Sequence, residues 1–344
     1  MENGTAFSLT GKTNGGAHGP LSSSRKASDR GARRHLEGDS EGAKSEYLSA
    51  LELDPNNPTA HNNLGFLLAQ EGELDAAIAH YQRALEVDPH KSMAMANMGI
   101  ARVAQGEDQA GVDWLRRAVE TDSTNVLALD NLARLLLKLR RLTEAEAAAR
   151  SALEVSPYEA RILLTLGLAV AGQQRLNEAV EILNRSVQLD PKSANAWEQL
   201  GVVLWMRQDL GSASDALRRS LTLAPNNVSA RYHFALVLLT KGDQDEAIRE
   251  LASVLAIDPG HVPAQLDLAV LAVSRGEWQA ALGRLEMVLH MDGENSRALF
   301  YRAVVLDRID RQDEATPILQ SLGAGTGKYA ERARQYLEER STIS

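Results

Sequence analysis

Residues 6–13 read AFSLTGKT, which has the spacing of a loose phosphate-binding loop. In such a loop backbone amides hold the phosphates, while Lys12 and Thr13 would meet a phosphate and a magnesium ion. The mechanism requires a strand before the loop and a helix after it. The following residues, NGGAHGP, are typical of neither element. We therefore predict a disordered arm over residues 1–23, and a nucleotide hydrolase that uses Lys12 is the third of three functional hypotheses.

Other residue types that carry chemistry are absent or scattered. The chain has no cysteine, which excludes disulfides, thiolate metal sites and a cysteine nucleophile. Its eight histidines include no pair four residues apart and no carboxylate cluster at ligand spacing. The segment GAGTGK at 323–328 is not preceded by a strand pattern. We predict no catalytic residue, no metal site and no cofactor, and we do not expect an enzyme.

Composition and charge favour a soluble helical protein. The chain is 44% hydrophobic but only 4% aromatic, and its net charge is -9. An acidic surface repels phosphate backbones, so nucleic-acid binding is not expected. No apolar run reaches the roughly 18–20 residues of a membrane span, and the first residues lack a signal-peptide pattern. We expect a cytoplasmic protein with no membrane insertion.

A repeat of 34 residues, counted from Ser24, continues without insertion or deletion. The eighth position of each unit is always Gly or Ala, the twentieth is Ala or Gly, and the thirty-second is usually Pro. Positions 4, 7, 8 and 11 lie on one face of a first helix, and positions 20, 24 and 27 lie on one face of a second. The small residues allow the two helices to approach closely, and Pro ends the second helix. Each helical hairpin would bury its apolar face only by stacking on its neighbours.

These columns resemble the tetratricopeptide repeat family, which has Leu-Gly at positions 7 and 8, Ala at 20 and Pro at 32. The resemblance implies an all-α, right-handed superhelical solenoid of stacked helical hairpins. In the first unit, residues 24–57, Arg30 and Arg34 occupy core positions, so we expect a degenerate unit whose first helix is a polar cap or frayed. The predicted eight regular units and the C-terminal capping helix with its tail are 58–91, 92–125, 126–159, 160–193, 194–227, 228–261, 262–295, 296–326 and 327–344.

In this family the first helices line a groove, with positions 2, 5, 6, 9, 12 and 13 facing it. Asn63, Asn97 and Asn131 recur at position 6, and an amide can pair with any peptide backbone. This run is similar to the asparagine ladder of the O-GlcNAc transferase repeats. The later units place apolar groups on the same face, which is typical of a binding surface. The predicted partner-binding residues are Asn63, Asn97, Asn131, Arg134, Leu168, Gln199, Trp205, Tyr232, His233, Phe300 and Tyr301.

The alternative for the apolar groups is that curvature or the C-terminal cap covers them. The Lys and Asn pair at positions 5 and 9, with which chaperone-tail-binding members hold a terminal carboxylate, is absent. We predict a protein-interaction scaffold or adaptor that binds an extended or helical segment of a protein or peptide partner in the groove. A second hypothesis is a recruitment subunit of a glycosyltransferase-like system whose catalytic domain is another chain. The pattern does not determine the partner or the oligomeric state.

Overall fold

The computed structural model of the protein describes residues 19–343, in which the chain forms nineteen α-helices and no β-strand. The predicted all-α fold of consecutive helical hairpins is confirmed. None of these helices is both long and apolar enough to cross a membrane. Lys12, Thr13 and most of the predicted arm lie outside the described residues. Helix α1 begins at Pro20, so residues 20–23 are helical rather than part of a disordered arm.

The chain divides into two compact units between Pro191 and Lys192. From here on, the first unit and the second unit mean these two parts of the chain, each of which contains several 34-residue repeats. The ten helices of the first unit are α1 Pro20–Leu36, α2 Ser40–Leu53, α3 Pro58–Gln70, α4 Leu74–Val87, α5 Ser92–Ala104, α6 Asp108–Thr121, α7 Val126–Lys138, α8 Leu142–Val155, α9 Ala160–Gly172 and α10 Leu176–Leu189. The nine helices of the second unit are α11 Ala194–Met206, α12 Leu210–Leu223, α13 Val228–Lys241, α14 Gln244–Ile257, α15 Val262–Ser274, α16 Trp278–Met291, α17 Ser296–Arg308, α18 Gln312–Ala324 and α19 Lys328–Ile343. Odd-numbered helices up to α17 are the first helices of hairpins, and even-numbered helices are the second.

The last residue of a repeat caps the first helix of the next. The side chains of Asn57, Asn125, Asn227 and Asn295 each accept a hydrogen bond from a backbone N–H in the first turn. Such caps satisfy amides that have no partner inside the helix. The repeat therefore sets where each of these first helices starts.

Glycine at position 8 allows the two helices of a hairpin to pack closely. A Cβ atom on Gly201 would lie 2.6 Å from Cγ of Leu217, at position 24 of the same repeat. In the first unit, a Cβ on Gly65 would lie 2.8 Å from the Tyr81 ring. The second-helix side chain thus fills the space that the glycine leaves free, and the core is built from such pairs and from buried Ala and Leu.

The turn inside every hairpin contains one residue with positive φ, at position 15 of the repeat. Five of these residues are glycines, including Gly72 at +85°. The other four are Arg140, Gln174, Gln208 and Asp310, with φ between 61° and 66°. An L-residue pays a steric cost in this region, whereas glycine does not.

Helix α1 is polar but complete. Ala27 and Gly31 are buried against α2, while Arg30 and Arg34 point outward. Their guanidinium groups lie 2.7 and 3.7 Å from the Glu46 carboxylate. Of the two alternatives expected for this helix, a polar cap or a frayed helix, the structure shows the polar helix.

Candidate functional site

The asparagines of α3 and α5 form a buried chain of hydrogen bonds. Asn97 donates through Nδ2 to Oδ1 of Asn62 at 3.0 Å, and Asn62 donates to Oδ1 of Asn63 at 3.0 Å. Asn62 and Asn63 have no exposed surface, and Asn97 is 3% exposed. Asn63 lies beside the Tyr47 hydroxyl, whose pKa burial raises. The expectation that Asn63 presents its amide to a partner is therefore wrong, and Asn97 uses its donor within the chain.

Asn131 does not extend this chain of amides. It is half-buried on α7, and its Nδ2 donates to the carbonyl oxygen of Leu127, one turn earlier, at 2.8 Å. Its side chain also lines both cavities on this face of the first unit. Of the three predicted asparagines, Asn131 is the one that retains substantial exposure.

Two adjoining cavities lie on the face formed by the first helices α3, α5 and α7. The larger, about 250 Å³, is lined by side chains of α5, α6 and α7, and the other, about 220 Å³, reaches α3, α4 and α9 as well. They share three lining residues and are otherwise mostly apolar. The shared residues are Ile100, Asn131 and Arg134, and the smaller cavity also has Phe66, Leu127 and Arg161. We call this pair of cavities the α5–α7 pocket.

Three cations line the α5–α7 pocket, and two of them are paired. Lys138 lies 2.8 Å from Asp108, and Arg161 lies 2.9 Å from Asp130. The exposed guanidinium of Arg134 has no hydrogen-bond or ion-pair partner among the described residues. No Asp or Glu is among the residues that line either cavity. The pocket therefore combines an apolar lining with a positive charge that is not neutralised.

Asp130 is fully buried and lies next to Arg161, one of the residues that line the α5–α7 pocket. Neither of its carboxylate oxygens has a hydrogen bond, although Oδ2 is in ion-pair distance of Arg161. Burial raises the pKa of the Asp130 carboxyl, and the nearby charges of Arg161 and Arg134 offset only part of that effect. The carboxylate consequently holds Arg161 in place, and Arg134 is the cation of the pocket that has no ion-pair partner among the described residues.

Helix α9 continues the same face with apolar groups. Leu164 and Leu168 are half-buried, and Thr165 is buried and donates to the carbonyl of Arg161 at 3.2 Å. Leu168 is thus partly exposed on this face, and its contact with a partner stays a prediction.

In the second unit, the buried carboxylate of Glu198 on α11 accepts hydrogen bonds from residues at the start of α13. Asn227 and Ser229 donate to its carboxylate at 2.8 and 2.6 Å, and His233 Nδ1 lies 3.3 Å from it. Burial by itself would raise the pKa of Glu198, but the neighbouring His233 and the hydrogen bonds from Ser229 and Asn227 together lower it. His233 is therefore engaged with its neighbouring helix.

A side-chain hydrogen bond also joins Tyr232 on α13 to α15, the first helix of the next hairpin. Its hydroxyl donates to Oδ2 of Asp267 on α15 at 2.8 Å, and Arg297 of α17 lies 2.6 Å from Oδ1 of that carboxylate. Burial and the Asp267 charge raise the pKa of the Tyr232 hydroxyl. The ring also packs against His261, with centroids 4.8 Å apart. Tyr232 is half-buried, and its polar end is not available to a partner.

Trp205 and Gln199 are also partly exposed. Both are half-buried on α11, and the indole N–H of Trp205 donates to Thr240 Oγ1 at 3.1 Å. This hydrogen bond orients the Trp205 ring on an exposed part of the face.

The C-terminal helix covers Phe300. The Phe300 ring is 4% exposed, and its centroid lies 5.8 Å from Tyr329 and 6.3 Å from Tyr336. Arg332 stacks over the same ring at 4.8 Å and donates to the Tyr301 hydroxyl at 3.3 Å. The expectation of an exposed anchor at Phe300 is wrong, because α19 lays its tyrosines over the face of α17.

Polar residues that join successive first helices are the main feature that the sequence analysis missed. A carboxylate at position 5 meets position 2 of the next repeat in the pairs Asp130 with Arg161 and Glu198 with Ser229. The signal was present in the sequence as charged or hydroxyl residues at matching repeat positions. No group of three His, Asp or Glu side chains that could hold a metal ion occurs in residues 19–343.

Family profiles match much of the chain. Residues 58–91 match the Tetratricopeptide repeat profile, residues 31–72 the TPR repeat profile and residues 131–194 a further Tetratricopeptide repeat profile. Residues 183–299 match the Cytochrome c-type biogenesis protein H TPR domain. No curated protein matches the chain in sequence.

Solved structures are similar in fold at low sequence identity. PilF of Pseudomonas aeruginosa is 21% identical, with a TM-score of 0.54 over 60% of this chain and 95% of PilF. A tetratricopeptide repeat protein of Parabacteroides merdae is 16% identical, with a TM-score of 0.52 over 71% and 96%. The Cut9-Hcn1 hetero-tetramer of the APC/C has a matching chain, 16% identical, with a TM-score of 0.60 over 80% of this chain and 55% of that one. These similarities concern the fold alone.

Proposed function

This chain belongs to the tetratricopeptide repeat family, and we propose that it is a protein-interaction scaffold that holds a segment of a partner protein on its first-helix face. The family fold supports a role in protein interaction, because its repeats build extended surfaces from packed hairpins. The observation that carries the proposal is the α5–α7 pocket, with half-buried apolar groups and an accessible cation on one face of the first unit. Concave apolar surfaces with a few polar groups are typical binding sites.

The partner segment would be a peptide, either extended or helical. Ile100 and Leu168 are partly exposed on the first-helix face and would contact its apolar side chains. Asn131 retains an amide oxygen that could accept a backbone N–H. Trp205 and Gln199 belong to the second unit and would provide contacts within that unit by itself. Asn63 of the first unit and Phe300 of the second are buried and are not proposed as contacts. No catalytic step is proposed.

Site-specific photo-crosslinking tests this assignment. A benzophenone amino acid at Leu168 should crosslink a partner protein, and the same group at Leu189, an exposed position of the second helix α10, should not. The crosslink at Leu168 should disappear when Ile100 is replaced by Glu. Equal crosslinking from both positions, or none from Leu168, would contradict a partner on the first-helix face.

A role in cytochrome c biogenesis is a second candidate. It is favoured by the match of residues 183–299 to the Cytochrome c-type biogenesis protein H TPR domain. Deletion of the gene should then lower haem-stained c-type cytochromes, and complementation should restore them; unchanged cytochrome levels would remove this candidate. The glycosyltransferase-recruitment hypothesis depended on an exposed asparagine run. Because Asn63 and Asn97 are buried, no observation favours it.

A further inference from the structure

The α5–α7 pocket has a charge and a size that select a particular kind of segment. We propose that it binds a partner peptide in which an acidic side chain pairs with Arg134 while a neighbouring large apolar side chain enters the cavity lined by Phe66, Ile100 and Leu127. This inference rests on the proposed function and adds the chemistry of the segment.

Charge complementarity defines the acidic part. The chain has a net charge of -9, yet no carboxylate lines either cavity. Arg161 and Lys138 already have the ion-pair partners Asp130 and Asp108, whereas Arg134 has none among the described residues. A guanidinium presents a planar set of N–H donors that matches a carboxylate in a bidentate geometry. The acidic group of the partner would therefore pair with Arg134.

The volume of the cavity defines the apolar part. The cavity beside Phe66 and Leu127 measures about 220 Å³. This volume is enough for one or two apolar side chains of a peptide. Interfaces commonly place such an anchor side chain in a pocket of this kind, and surrounding groups then exclude water.

The buried Asp130 explains why Arg134 is the contact residue. Asp130 is covered by Arg161 and lies within reach of the Arg134 charge as well. Asp130 forms an ion pair with Arg161 and none with Arg134, so the guanidinium of Arg134 is the one left for a second carboxylate. The Asp130–Arg161 pair acts as a positioning element at the wall of the pocket.

Selection of peptides on the full-length chain provides the test. A phage library of random dodecapeptides is panned on the immobilised wild-type protein, and the winners are synthesised with a fluorescent label. We expect winners enriched in Asp or Glu next to Leu, Ile or Phe. Fluorescence anisotropy then measures each winner and its Glu→Gln form against wild type, Arg134→Gln, Ile100→Ala and the control Arg185→Gln, an exposed arginine on α10.

A double-mutant cycle between protein and peptide isolates the predicted contact. Arg134→Gln should weaken binding about five- to tenfold, peptide Glu→Gln should weaken it equally, and the Arg134→Gln protein should not distinguish the two peptides. Binding should weaken with added salt, and Arg185→Gln should bind like wild type. Additive losses, or winners without acidic enrichment, would overturn the inference.

The same experiment separates this inference from the proposed function. Winners that lack acidic residues but are blocked by Ile100→Ala or by changes at Leu168 would leave the scaffold assignment intact and remove the acidic specificity. If the library yields no binding peptide at all, both proposals fail. Circular dichroism of Arg134→Gln should match wild type, because the Arg134 side chain has no partner among the described residues to lose.

Discussion

The guanidinium of Arg161 lies 2.9 Å from the carboxylate of Asp130, one repeat earlier in the chain, and joins helix α9 to helix α7. Asp130 is fully buried, whereas 47% of the Arg161 side chain is exposed. The pair is therefore unequal: loss of the arginine leaves a buried charge, while loss of the aspartate leaves a cation that can turn to water.

Arg161→Gln should lower the free energy of unfolding of the first unit by about 1–3 kcal/mol, because Asp130 would keep its desolvation cost without its counter-charge. The exposed end of the arginine keeps this loss below that expected for a pair buried on both sides. The loss is measured by urea denaturation and by hydrogen exchange of α7 and α9. Adding Asp130→Asn to the variant should recover most of it; an equal loss in the double variant would contradict the explanation.

The cost of Arg161→Gln should also depend on pH. The folded-state pKa of Asp130 is raised above its unfolded value, so this group favours folding when it is protonated. That contribution is present below the unfolded pKa and is lost as pH rises through the folded pKa. Without Arg161 the folded pKa rises further, and the deficit relative to wild type should grow from pH 4 to pH 7. A deficit that is constant with pH would mean that Asp130 is not its origin.

Gly201→Ala should destabilise the second unit by about 1–3 kcal/mol, because the added methyl group would meet Leu217 at 2.6 Å. Gly283 provides a matched control within α16, where a Cβ atom would have no neighbour within 4 Å. Gly283→Ala should stabilise by about 0.5–1 kcal/mol through helix propensity alone. Thermal denaturation of both variants decides the point, and equal shifts of the two midpoints would show that the close helix contact is not limiting.

Gln174→Gly should stabilise the first unit by about 1 kcal/mol, because Gln174 has a φ of 64°. Gly72→Ala, at a φ of +85°, should destabilise by a similar amount. The control is Gln82→Gly at an exposed position in the middle of α4, which should cost about 0.7–1 kcal/mol. Denaturation midpoints that fall for both glutamine variants would contradict a strained turn at position 15.

Removal of residues 327–344 should expose Phe300 and promote association of the protein, because the Tyr329 and Tyr336 rings that cover it are lost. Light scattering and binding of a hydrophobic dye would report this exposure. Phe300→Ser in the truncated chain should partly restore a monodisperse protein. A truncated chain as soluble as the full one would show that α19 is dispensable.

The hairpins were predictable because their signals are local. The residues at positions 8 and 20 and the helix caps act within one repeat or its direct neighbour, so the period of the sequence is sufficient to place them. Burial of Asn63 was not predictable from the period, because it depends on how closely α3 and α5 approach and on Tyr47 behind them. Coverage of Phe300 was also missed, since it depends on where α19 returns after the last hairpin.

Positions 5 and 6 show the physical limit of the pattern most clearly. The same positions hold a partly exposed asparagine at Asn131, a tyrosine at Tyr232 whose hydroxyl is hydrogen-bonded to the next first helix, and a buried carboxylate at Asp130. Repeat position specifies the face on which a side chain lies. Its exposure depends on the side chains of the next repeat, which can either bind it or leave it free.

Asn97→Ala and Asn131→Ala should therefore have different effects. Asn97 donates to the buried Asn62, so its loss should cost about 0.5–1.5 kcal/mol of stability. Asn131 donates only to its own helix and is half-buried, so its replacement should change stability by less than about 0.5 kcal/mol. If a partner occupies the first-helix face, Asn131→Ala should weaken its binding at constant fold. Asn97 also lines the smaller cavity, but its amide is used within the chain, so loss of binding in Asn97→Ala should be accompanied by loss of stability. Urea denaturation and anisotropy on the same preparations distinguish these effects; a stable Asn97→Ala variant with lost binding would restore the asparagine run as a contact surface.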